Sequence, residues 1–411
     1  MADLTIKPQA GSSNKVIIQD QGGRVMLQTE QQGLTLTSHL VSSSDPTVSS
    51  NPVSGVGTKW INSSTGVEFI CVDATAGANI WKHTGMGTSI PNFTVEYLVI
   101  AGGGSGAGRH YNGGGGAGGY RCSYASEESG GKMPTEDTWT AALSTTYMVK
   151  VGAGGASAGN HVSGYRGIDS YLKCQQTDVN NTPDIICVGG GPGQGDNWGN
   201  GDVQAVGQYG GSSGGARGND HNYMQQIAHP IQGSFSGLAP VSDSSGWHGA
   251  PGGGGAGGKG QNRAEADVHG GHGGLGIESS ITGVATWRGG GGGGGAGQGS
   301  EGGCGGNRGG QWNVSQATKA GGGDGTGLNT EPTTSGTNGK VNTGGGGGGV
   351  SGYATPFNSG PGGSGVVIIR YPNTRTVSSV SGGLTTSTLN GTHSSSKYTV
   401  FSAGTGTFVF T

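Results

Sequence analysis

The sequence predicts a fold that is mainly β and irregular, with almost no α-helix. A polyglycine II helix bundle is framed by short β-strands, and small β modules stand at both ends. Three observations carry this reading. Glycine accounts for 97 of 411 residues, and most of it falls between Gly102 and Gly365. That block opens and closes on short apolar runs rich in β-branched residues, which read as buried strands. Only 30% of the chain is hydrophobic and 11% charged, too little apolar material for one conventional core of this length.

The densest glycine stretch is Gly289–Gly310, where 15 of 22 residues are glycine. Such a run has no side chain to bury, and ordering its backbone costs about 1–2 kcal/mol per residue or more. Alone it is a flexible linker. The alternative is an extended helix with three residues per turn. Several such helices side by side can bond laterally through outward-pointing N–H and C=O groups, at about 1 kcal/mol net per bond. The flanks favour the bundle. Val95–Ala101 opens the block and Val366–Tyr371 closes it, while Thr146–Val151 and Ile185–Val188 lie inside. A linker needs no strands at its ends.

Four stretches in this order carry a resemblance: Tyr97–Gly104, Gly113–Tyr120, Tyr147–Gly155 and Gly362–Pro372. Together they resemble the glycine-rich domain of bacteriophage tail-fibre and adhesin proteins, over roughly residues 93–372. The resemblance implies a sandwich of polyglycine II helices carrying receptor-binding loops.

Taken in order, residues 1–45 alternate as a small β module, with strands at Leu4–Lys7, Asn14–Gln19 and Arg24–Leu27 and a turn at Gly22-Gly23. The run Asn14–Leu27 is similar to attachment segments of marine phage structural proteins, which implies assembly or docking; an ordinary hairpin is the alternative. Residues 46–92 form a second module. It begins with a Ser/Pro/Gly linker, Pro46–Gly57, and continues with Trp60, Phe69 and Trp81 as one aromatic cluster. Core packing suits these rings better than sugar binding. Residues 93–372 are the glycine-rich domain. Residues 373–411 are expected to form a terminal β-hairpin, with Tyr398–Phe401 and Thr407–Phe410 flanking a turn at Ala403–Gly406.

Longer inserts interrupt the glycine runs: Arg121–Leu143, Asn160–Pro183, Arg217–His248, Gln261–His269, Ile277–Arg288, Asn307–Lys319 and Tyr353–Phe357. Glycine helices cannot recognise a partner by side chain, whereas loops on a rigid scaffold can. The candidate receptor-binding residues are Tyr124, Trp139, Tyr165, Arg166, His221, Tyr223, Phe235, Trp247, Trp312 and Tyr353. They are the aromatic and polar types that dominate recognition surfaces. Trp198 and Tyr209 lie close to glycine runs and read as caps of the bundle.

Motifs for chemistry are weak. Tyr97–Ala101 runs into Gly102–Ala107, which fits GxGxxA, but a dinucleotide site needs a helix next. Four glycines after Asn112 cannot sustain one. No phosphate-binding GxxxxGK[ST] occurs. His269 and His272, near Glu265 and Asp267, offer too few oriented ligands for a metal. The Glu127-Glu128 pair suits an exposed surface better than glycan hydrolysis. No cofactor, metal or catalytic residue is expected.

The five cysteines are widely spaced and read as free thiols from a reducing compartment. The N-terminus lacks a secretory pattern, and no segment is apolar enough to insert in a membrane. The net charge of −3 argues against a nucleic-acid partner. The expected protein is a virion component, a tail fibre or adhesin made in the host cytoplasm. It would bind a host glycan or outer-membrane protein, attach to other virion proteins through its N-terminal region, and form a homo-oligomer, a trimer being favoured. The second reading is a self-assembling fibre or capsid-decorating protein whose glycine-rich and terminal segments make subunit contacts.

Overall fold

The computed structural model describes residues 40–52, 55–83, 92–108, 112–159, 162–174, 184–195, 210–216, 228–237, 249–262, 269–296, 320–326, 335–351 and 358–411, with the backbone of residues 17–19, 25–30, 33–35 and 39. The chain divides into two units, Met1–Asn92 and Phe93–Thr411.

In the first unit, β1 (Ile17–Gln19), β2 (Val25–Glu30) and β3 (Gly33–Thr35) form an antiparallel sheet. The strand expected at Leu4–Lys7 and the turn at Gly22-Gly23 lie outside the described residues. A second sheet runs β4 (His39–Ser42), β5 (Lys59–Asn62), β6 (Glu68–Asp73), β7 (Ile80–His83). Trp60 and Trp81 meet edge to face, with centroids 5.6 Å apart. Phe69 packs on His83 instead. The chain between β4 and β5, part of the expected linker included, has a structural role. The Ser44 carbonyl accepts the Trp60 indole N–H and the Ser50 carbonyl that of Trp81. Asn79 bonds Val48 and Asn51.

The second unit holds a ten-stranded sheet that curls back on itself. Its spine is β8 (Phe93–Ile100), with β9 (Tyr120–Cys122) and β10 (Trp139–Ala141) along one edge. Along the other edge β8 pairs β16 (Val366–Pro372). β11 (Thr146–Val151), β12 (Ser170–Cys174) and β13 (Ile185–Cys187) follow one another. The curl brings β13 back to β8, where the Cys187 thiol donates to the Val99 carbonyl at 3.0 Å.

Tyr97–Ile100 of β8 and Val366–Ile369 of β16 are apolar on both sides because both sides are buried there. Val95, Tyr97, Val99, Val367 and Ile369 join the inner core with Trp139, Tyr147, Leu172, Phe401, Phe408 and Phe410. Leu98, Ile100, Val366 and Ile368 face outward onto Ile277 and Ile281. Ile277 opens β14 (Ile277–Ser279) and Ile281 lies in the turn that joins it to β15 (Thr286–Arg288), so the insert expected at Ile277–Arg288 is a small hairpin packed on the sheet.

The C-terminal segment is not a hairpin of its own. β19 (Ser396–Phe410) is one strand of 15 residues that runs through the stretch expected to turn. Its first part pairs β16 and β18 (Thr385–His393); its last part pairs β11 and β17 (Val377–Ser381). Gly404 has φ +90°, a value open to glycine, at the point where the strand leaves β16 for β11. The sheet therefore depends on the last strand of the chain.

Candidate functional site

The glycine segments bond laterally with a period of three. Gly102, Ser105 and Gly108 donate to Ile168, Tyr165 and Val162; Gly103 and Gly106 donate to Gly363 and Gly360; Gly104 and Ala107 donate to Gly116 and Gly113, all at 2.9–3.2 Å. Residues three apart thus address the same neighbour, the pattern of an extended helix with three residues per turn. The same rule holds for segment 113–119, whose N–H groups reach segments 188–194, 251–254 and 344–347. Its carbonyls accept from segments 101–107 and 212–215 and from Gly292, so it is bonded to six neighbouring segments.

Position in this lattice explains composition. A Cβ on Gly115 would come within 2.1 Å of the Gly104 carbonyl oxygen, and one on Gly348 within 1.8 Å of the Asp324 oxygen. Central segments are therefore nearly pure glycine with small interruptions. Outer segments carry side chains only on the rows that face away. In segment 162–168, Gly164 and Gly167 face the lattice, whereas Val162, Tyr165 and Ile168 point out.

The lattice is polar. β8, β9, β11, β12, β13 and β16 all join it at one end, where Ala101 bonds Gly119, Gly119 bonds Val188, Gly102 bonds Ile168 and Gly365 bonds Gly152. At the other end Ala107 bonds Gly113, Gly113 bonds Gln194, and Gln194 bonds Gly215. There too Ala250 bonds Gly295, Gly295 bonds Asn112, Ala296 bonds Thr326, Val350 bonds Ala107 and Ser359 bonds Ala158. Ten stretches of the glycine-rich block lie outside the described residues: 109–111, 160–161, 175–183, 196–209, 217–227, 238–248, 263–268, 297–319, 327–334 and 352–357. The described residue before nine of them is at this far end; 175–183 instead follows Cys174, which pairs Tyr147 at the sheet end. The chain enters the unit at the opposite extreme, where Phe93 packs on Phe410 with centroids 5.0 Å apart.

The candidate residues divide accordingly. His221, Tyr223, Trp247, Trp312 and Tyr353 lie in those stretches, outside the described residues, as do Trp198 and Tyr209. Tyr165 is 51% exposed, and Arg166 is paired with Asp169 at 2.7 Å. Both sit on the flank of the lattice rather than on a loop, because the three-residue spacing of Gly164 and Gly167 lets this segment join it. Phe235 is 47% exposed beside the Lys259 ammonium. Residues 228–237 likewise belong to the lattice, where the Gly260 N–H reaches the Phe235 carbonyl, so Arg217–His248 is not one insert. Tyr124 is half-buried under the Arg370 guanidinium, which donates to its hydroxyl at 3.0 Å. Trp139 is a correction: it is 1% exposed and packs on Tyr147 in the inner core, so its ring is not presented to a partner.

Sequence reasoning missed two polar groups. Glu136 accepts bonds from Arg121, Tyr97 and Ser129 at the sheet edge. Burial and the Glu136 charge push the Tyr97 phenol well up, so it stays a proton donor. The Gln232 amide donates to the Ile186 carbonyl and accepts from the Val188 N–H, which closes the open edge of β13 as a further strand would. Neither is legible without the fold. Burial also pushes the Cys122 thiol up to about 12 and Cys187 well up; neither is a nucleophile. Among the described residues, no three His, Cys, Asp or Glu side chains cluster to hold a metal, and no helix is long and apolar enough to cross a membrane. Glu265 and Asp267, beside the two histidines, lie outside the described residues.

A family model for a glycine-rich domain matches residues 83–372. The chain belongs to this glycine-rich domain family. The match extends from His83, at the end of β7, to the end of β16, and β17 to β19 complete the ten-stranded sheet beyond it. No similar sequence was found among curated proteins.

Proposed function

We propose that the protein is a phage tail fibre or adhesin, a virion surface component that binds a host glycan or outer-membrane protein without turning it over. The observation that carries this reading is the polarity of the glycine-rich domain. At the end opposite to the one where the chain enters stand the described residues that precede nine of its ten chemically varied stretches. A binding tip needs that arrangement. Non-covalent recognition would come from many aromatic and polar contacts, strengthened by avidity across copies. The N-terminal unit would dock onto other virion proteins.

Labelling of host cells by fluorescent residues 93–411 tests this. The fragment must retain β19. It is compared with a form in which residues 217–227 and 238–248 are exchanged for glycine–serine stretches of equal length, leaving the lattice segment 228–237 in place. Labelling that the exchange abolishes supports the reading. Absence of labelling by either form, with assembly or particle decoration by the full chain, favours a structural fibre or capsid-decorating role.

A further inference from the structure

The four-stranded sheet of the N-terminal unit has two faces, and one of them is covered. Strand alternation and register put Trp60, Phe69, Cys71 and Trp81 on one face. The carbonyls of Ser44 and Ser50 hold the two indoles from above. The opposite face carries Val41, Ile61, Ile70 and Ile80, one on each strand, with Val72 in the bulge between Cys71 and Asp73, where Asp73 is the partner of Ile80. Val41 is 66% exposed, Ile80 50% and Val72 39%. Ile61 and Ile70 are half-buried.

The covered face is a meagre core. Among the described residues of this unit, Cys71 is the one apolar side chain that is fully buried. A small sheet is held by burying its apolar face against another layer, and among the described residues of this unit that burial is incomplete. The charges on the open face carry both signs. Lys59 pairs with Glu68 across β5 and β6 at 3.8 Å, and Lys82 lies opposite Ile70 on β7. A face with both signs around apolar residues is self-complementary: a copy turned about a two-fold axis can set its Glu68 against Lys82 while the aliphatic side chains meet.

We propose that this face is an interface between copies of this chain, and that the N-terminal unit is completed by a second copy seated on it. The inference stands apart from the receptor reading, which concerns the glycine-rich domain alone.

Sedimentation of the full chain over a concentration series tests it. The wild type is expected at a multiple of the 40.4 kDa chain mass. The double variant Val41→Glu/Ile80→Glu is expected to dissociate, with its dissociation constant raised about 100-fold. Val56→Glu, at an exposed turn off this face, is expected to keep the wild-type mass. A wild type that stays at 40.4 kDa throughout, or a double variant that keeps the oligomer, overturns the proposal. Amide exchange guards against a variant that merely unfolds. In the wild type, protection of Phe69–Val72 and Trp81–His83 must rise with protein concentration; protection independent of concentration also overturns it.

Discussion

The glycine-rich domain excludes water in two different ways, and the contrast separates what side chains do from what the backbone does. In the curled sheet, Trp139, Tyr147, Phe401, Phe408 and Phe410 fill the interior, and apolar burial drives the packing. In the lattice there is almost nothing to bury. Segments approach until their peptide groups bond directly, as between Gly115 and Gly347 at 2.8 Å. The sheet tolerates a change of shape by repacking; the lattice has no side chain to move. The sheet also lends its strands to fix the lattice ends, which offsets the ordering cost of glycine.

Substitution at the lattice centre should have the largest effect. Gly115→Val places carbon within 2.1 Å of a backbone oxygen with no flexible neighbour to yield. The expected loss exceeds about 4 kcal/mol, read as absence of cooperative melting of the glycine-rich domain. Phe408→Ala in the sheet should cost about 3–5 kcal/mol by denaturant titration while leaving a folded state. If the two costs were reversed, the contrast would be wrong.

Alkaline pH should weaken the sheet side of the comparison. Cys122 is neutral when folded because burial lifts its thiol to about 12 from an ordinary 9.0. Its contribution is complete below pH 9 and is lost as pH rises from 9 towards 12, since only the unfolded thiol ionises there. The slope is about 1.4 kcal/mol per pH unit at most, and Cys122→Ala should flatten it. The smallest effect is expected at the lattice rim. A Cβ on Gly159 meets only the Asn358 side chain, at 3.9 Å, so Gly159→Ala should shift stability by less than about 0.5 kcal/mol.

The sequence made β8 and β16 legible because strands buried on both faces must be continuously apolar. The glycine bundle was legible once those strands closed it. β19 was not, because Ala403–Gly406 has the composition of a turn and only the pairing partners show it to be a bend. Segment 162–168 was not read as lattice because it has two glycines, although their spacing of three was the available signal. Trp139 reads as a recognition residue from sequence because it is an aromatic side chain in the insert Arg121–Leu143. Its burial follows from pairing with Val95 across β8 and β10, a contact between residues far apart in sequence.

Amide hydrogen exchange across Gly113–Gly118, resolved by peptide mass spectrometry, tests the central claim most directly. The six-neighbour lattice requires these amides to exchange as slowly as those of Val95–Ile100 in β8. Exchange at the rate of an unstructured chain, with β8 still protected, would mean that the glycine block is a linker and would contradict the account.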